Sequence, residues 1–160
     1  MERKVETISQ DLIKPIVPQT CESYNLSALD QLVDFYPFAG RLINDNTSIS
    51  CNSKDDDFGV VFIEAFAHNY NLQDILSNSD QTIKIANHFL PKLEDNSPAS
   101  TTIVLLVQLT FLECGGMILG CSSSHKLEDV ASFGAFVKCW AKATMLALGN
   151  KSCSLFSLIL

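Results

Sequence analysis

The sequence predicts an α/β fold, and three stretches carry that prediction. Gly59-Val60-Val61-Phe62-Ile63-Glu64-Ala65 is an apolar, β-branched run of strand length. Residues 101–113 and 117–121 form two more apolar runs around Gly115-Gly116, a pattern that reads as a hairpin with both strands largely buried. From about Glu128 to Leu148 the pattern turns helical: Val130, Phe133, Val137, Trp140 and Thr144 fall on one face, and Gly149 is placed to cap the C-terminus.

The remaining elements follow in order. Val5 to Ile13 alternates loosely and predicts a first strand over Val5 to Ser9, after which Pro15 and Pro18 break regular structure. Ser27 is placed to cap a helix, with Asp30 in its first turn and Leu29, Leu32, Val33 and Tyr36 as its apolar face; Pro37 ends it. Gly40-Arg41-Leu42 opens an extended segment, and Ile49 to Cys51 reads as a short strand. Lys54 to Asp57 is a charged turn, Asn71 to Leu76 a short helix, and Pro91 to Ser100 a polar loop with two prolines. Ser152 to Leu160 is mostly apolar. Internal repeats and low-complexity tracts are not evident.

Composition narrows the function classes. The chain has 160 residues, which suits one domain with a sizeable core. Hydrophobic residues make up 47% and charged residues 18%, so a packed core rather than disorder is expected. A net charge of −7 without a Lys/Arg cluster argues against nucleic-acid binding. No apolar run reaches the roughly 18 residues of a membrane span; the closest, Thr101 to Leu112, is interrupted by Gln108 and Thr110. Cys21, Cys51, Cys114, Cys121, Cys139 and Cys153 show no C-x-x-C spacing, and the charged start Met1 to Thr7 is no secretory leader. Reduced thiols in a cytoplasmic protein are therefore expected.

His125-Lys126-Leu127-Glu128-Asp129 is the candidate site. The histidine follows a strand and the Ser122-Ser123-Ser124 turn and precedes the last helix, a place where a general base is held rigidly yet exposed. Asp129, four residues on, is expected one helical turn away. Taken alone, H-x-x-x-D is a weak signal, and a lone histidine is more often a satisfied core residue. A metal site at His125, Glu128 and Asp129 lacks a second cluster to complete it, so no metal is expected. A serine hydrolase lacks the G-x-S-x-G elbow. His68 and His88 read as surface residues without base-like neighbours, and Asp55-Asp56-Asp57 as a solvated turn. Phe35, Tyr36 and Trp140 read as core, and Gly115-Gly116 as a turn rather than a phosphate cradle.

Three blocks in one order change the weight of His125. Asp34-Phe35-Tyr36-Pro37-Phe38-Ala39-Gly40-Arg41-Leu42 is followed by Leu105 to Gly116, and then by Ser124 to Asp129. Together they resemble the N-terminal half of a plant BAHD acyltransferase, of the alkaloid and alcohol acetyltransferase branch, up to about Gly149. The resemblance implies half of the chloramphenicol-acetyltransferase-like fold, a mixed sheet with flanking helices. It implies transfer of an acyl group from acyl-coenzyme A, a co-substrate rather than a bound cofactor, to a hydroxyl or amine of a plant specialised metabolite. By position His125 takes the catalytic role of general base. Asp129 takes the family's structural role, pointing away from substrate toward an arginine.

The chain departs from that family in several ways. The family's D-F-G-W-G motif and second domain have no counterpart here, and neither has the arginine that pairs with the aspartate; Arg3 and Arg41 are the arginines of this chain. Between Leu32 and Val33 a strand and much of a helix have no counterpart. Val130 stands where the family usually has glycine. The expected organisation is a partial acyltransferase domain over residues 1–150, with an internal deletion near 32–33, and a non-family tail over 151–160. Such a chain is expected to be truncated and inactive alone, with self-association through the exposed face that would dock on the second domain. The alternative is a non-catalytic fragment that binds a partner or is unstable.

Overall fold

The computed structural model describes residues 3–13, 35–43, 47–51, 59–77, 84–93, 103–126 and 129–147. Its centre is a four-stranded mixed sheet of β1 (Lys4–Ile13), β4 (Val60–His68), β5 (Leu105–Leu112) and β6 (Met117–Ser123), hydrogen-bonded in that order. A small second ladder pairs β2 (Arg41–Ile43) with β3 (Ser48–Ser50). Two helices, α1 (Leu72–Ser77) and α2 (Val130–Ala147), and a 3-10 turn at Tyr36–Ala39 complete the described elements.

Strand pairing follows from patterning and turn chemistry. β4 alternates half-buried and buried residues along its whole length, as a strand covered on two faces does. It pairs antiparallel with β1 and parallel with β5, Val61 opposite Leu106 and Ala67 opposite Leu112. A parallel neighbour needs a crossover, and residues 69–104 supply it. β5 and β6 form the expected hairpin; its turn closes through Leu112 N–H to the Gly116 carbonyl, with Gly115 at φ 81°, where glycine carries no Cβ penalty.

Each face of the sheet has its own core. On one, Ala67, Leu112 and Ile118 pack with Tyr70, Ile75 and Phe89 from the crossover. On the other, Leu105 and Val107 pack with Phe38 of the 3-10 turn and Phe136 of α2. Of the face expected for the last helix, Phe133, Val137 and Trp140 do pack against this cluster, while the side chains of Val130 and Thr144 lie outside the described residues.

Several expectations are revised. β1 runs from Lys4 to Ile13, beyond the predicted Val5 to Ser9, because a bulge between Thr7 and Ser9 absorbs its imperfect alternation. Pro37 lies inside the 3-10 turn, near whose start its missing N–H has no bond to lose. The predicted helix from Ser27, the charged turn at Lys54 to Asp57, the cap at Gly149 and the tail from Ser152 all lie outside the described residues, as does most of the polar loop.

Candidate active site

His125 stands in the turn between β6 and α2, and its side chain is exposed. The turn is tied to the sheet next door: Ser124 donates its N–H to the carbonyl of Val104 at 3.0 Å, and the Ser124 hydroxyl accepts the Lys126 N–H at 3.4 Å. Helix α2 begins only after Asp129, so His125 and Asp129 are not successive turns of one helix as their spacing predicts. Asp129 instead caps that helix. Its Oδ1 accepts the Ser132 N–H at 2.8 Å, and its carbonyl accepts the Phe133 N–H at 3.1 Å. The Ser132 backbone N–H, followed by the Ser132 hydroxyl, holds the Asp129 carboxyl below its ordinary value. Asp129 is exposed, so this is a local effect of a helix start rather than of burial.

The Phe35-to-Leu42 block packs against the helix that follows the turn and against the sheet. Phe38 and Ala39 are buried in the 3-10 turn, and the Phe38 ring stacks on Phe136 with 4.7 Å between centroids. Arg41, to which the sequence pattern assigns no role, is buried to 8% exposure. Its Nη1 donates to the carbonyl oxygens of Ala39, Gly40 and Gly59 at 3.3, 2.9 and 2.8 Å. Its backbone forms an antiparallel bridge to Ile103, just ahead of β5. The signal that points to it is position: an arginine between Gly40 and Leu42, inside an apolar block, has little else to bond than backbone.

His68 and His88 are solvent-accessible as the sequence suggests, but both have polar neighbours that it does not reveal. His68 is half-exposed and sits between two carboxylates, with Nε2 3.5 Å from Glu6 Oε2 and Nδ1 3.3 Å from Glu113 Oε1. His88 is exposed, but its Nδ1 lies 2.5 Å from the Tyr70 hydroxyl. Both occur where β4 ends and β1 begins, whereas His125 lies beyond the opposite end of the sheet. A cavity of about 240 Å³ lined by Arg3, Tyr70, Asp74 and Ile75 is also at the far end and is no part of the His125 site. Among the described residues Cys51, Cys114, Cys121 and Cys139 form no disulfide, no group of three or more His, Cys, Asp or Glu is placed to hold a metal ion, and no helix is long and apolar enough to cross a membrane.

Residues 30–155 match the model of the transferase family. The chain belongs to the BAHD acyltransferases. Vinorine synthase of Rauvolfia serpentina is 31% identical over 184 residues, taking in 88% of this chain and 42% of the relative. Stemmadenine O-acetyltransferase of Catharanthus roseus is 30% identical over 183 residues with the same two coverages. A BAHD acyltransferase of Arabidopsis thaliana is 37% identical over 143 residues, 89% of this chain and 31% of the relative. The crystal structure of vinorine synthase superposes with a TM-score of 0.62 at 25% identity, covering 98% of this chain and 45% of the other. The mixed sheet with its flanking helices is therefore that of a BAHD acyltransferase. The chain spans less than half the length of these relatives, and the 184-residue alignment exceeds the chain's own 160 residues, so vinorine synthase carries residues with no counterpart here.

Proposed function

We propose that this chain carries the general-base wall of an acyl-coenzyme A-dependent acyltransferase, with His125 as the base. The observation that supports this best is the exposed imidazole of His125 in a turn fixed to a strand end, in a chain of the BAHD family. The acceptor is a hydroxyl or amine of a plant specialised metabolite, in keeping with the name of its relative stemmadenine O-acetyltransferase. His125 takes the acceptor's proton as the acceptor oxygen or nitrogen attacks the thioester carbonyl. The tetrahedral intermediate then collapses, the carbon–sulfur bond breaks, and the proton passes to the departing thiolate. A thioester is already activated, so positioning, a base and oxyanion stabilisation suffice, without a nucleophilic Ser or Cys and without a bound cofactor. Asp129 takes a structural role, holding the start of α2.

The 160 residues supply one wall of the site and are inactive alone, since each missing oxyanion donor costs on the order of 10²–10³ in rate. The location that fits this reading is the cytoplasm. The outer edge of β1 is where isolated chains associate: among the described residues it pairs with β4 alone, and Ile8 and Leu12 are 60% and 38% exposed. Light scattering at micromolar concentration tests this, with oligomers expected and a clean monomer contradicting it. Acyl transfer by this chain joined to the remaining part of a relative, with and without His125→Ala, tests the base.

A further inference from the structure

We propose that Arg41 is a positioning residue for His125, acting through the backbone that its guanidinium fixes. The proposal rests on the reading of His125 as the base. A buried cation is costly unless it is hydrogen-bonded, and Arg41 directs its Nη1 at three carbonyls from two separate segments, 39–40 and 59. The same two segments are joined by the Gly59 N–H to the Ala39 carbonyl at 2.8 Å. The Arg41 side chain thus locks the exit of the 3-10 turn to the entry of β4, while its backbone bridges to Ile103.

The path to His125 from there is short. Val104, next to Ile103, accepts the N–H of Ser124, and His125 is one peptide bond further on. The same block grips the far side of the turn as well, because Phe38 stacks on Phe136 of α2. His125 is therefore suspended between two supports that share one frame, and Arg41 closes that frame. At 8% exposure the guanidinium is too deeply placed to meet a substrate in solution, so Arg41 acts through other groups. A residue that merely stabilised the fold would affect all parts of the sheet alike. A positioning residue acts on His125 and spares His68 and His88 beyond the other end of the sheet.

The chain has three histidines, so its imidazole Cε1–H signals in NMR are few, and His125→Gln assigns the one of interest. In Arg41→Met the His125 signal is expected to shift or broaden beyond its native line width, with His68 and His88 unmoved. In Arg41→Lys, whose ammonium offers three donors to the same three carbonyls, a smaller displacement of the His125 signal in the same direction is expected. An unmoved His125 signal in folded Arg41→Met overturns the proposal. If Arg41→Met unfolds and merges all three signals, Arg41→Lys decides: displacement of His125 alone supports positioning, and no displacement overturns it. Merged signals in both variants also overturn it, since Arg41 would then be a general stabiliser. Turnover plays no part in this readout, so its failure leaves the base role of His125 to be judged by His125→Ala, and the reverse.

Discussion

The ring of Phe38 lies nearly parallel to that of Phe136, 4.7 Å between centroids and 25° between planes. One ring belongs to the 3-10 turn and the other to α2, and Phe35 meets Phe136 edge-on at 5.4 Å. Helix α2 is thus held to the sheet by an aromatic cluster. Phe136 is 5% exposed. Phe136→Ala removes transfer energy and leaves a cavity, and such changes cost about 3–5 kcal/mol. That is a large share of a domain's stability of roughly 5–15 kcal/mol. Denaturant unfolding of Phe136→Ala should show this loss, and Phe136→Leu a smaller one. A loss under about 1 kcal/mol in Phe136→Ala, well short of that range, would mean that α2 is held by other contacts.

Two glycines give opposite expectations. A Cβ at Gly120 would sit 2.1 Å from the Phe89 carbonyl oxygen, a backbone atom with no rotamer to escape into. At Gly134, inside α2, a Cβ would meet nothing within 4 Å. Gly120→Ala should therefore destabilise by at least the roughly 1–3 kcal/mol of an overpacked core. Gly134→Ala should stabilise by about 0.5–1 kcal/mol through helix propensity alone. Thermal melts of the two variants check the pair, and equal shifts of one sign would contradict the packing of β6 on the Phe89 segment.

Elements with a strong local pattern are legible in the sequence. The β-branched run ending near His68, the hairpin around Gly115-Gly116 and the helix through Phe133, Val137 and Trp140 follow from period and turn chemistry. The parallel pairing of β4 with β5 is not legible, because register across a crossover of this length depends on packing and not on local pattern. The site shows through His125, whose strand–turn–helix setting is local. Arg41 is harder to read, since the carbonyls its Nη1 meets include that of Gly59, eighteen residues away. His68 looks solitary in the sequence for the same reason: Glu6 and Glu113 are brought beside it by strand pairing. The spacing of Asp129 from His125 is plain, but its role as a cap depends on where α2 begins.

That cap has a pH signature. The Asp129 carboxyl is held below its ordinary value by the Ser132 N–H, so the folded state prefers the charged form. Its contribution is fully present above the ordinary carboxylate range and is lost as pH falls through the depressed value. Asp129→Ala should lower the melting temperature at neutral pH, and the gap to the native chain should close under acid conditions. Asp129→Asn keeps a capping oxygen and should sit near the native chain at neutral pH. An Asp129→Ala variant as stable as Asp129→Asn at neutral pH would remove the cap from the account.

Acetyl transfer from acetyl-coenzyme A to a panel of alcohols tests the central claim most directly. Two proteins are needed: the 160-residue chain, and the chain joined to the part of vinorine synthase that lies beyond the aligned region. The chain alone should transfer no faster than buffer. The joined protein should turn over, and His125→Ala should reduce its rate by about 10²–10⁴, the usual contribution of a general base. Turnover from the 160 residues alone, or transfer undiminished by His125→Ala in the joined protein, would contradict the account.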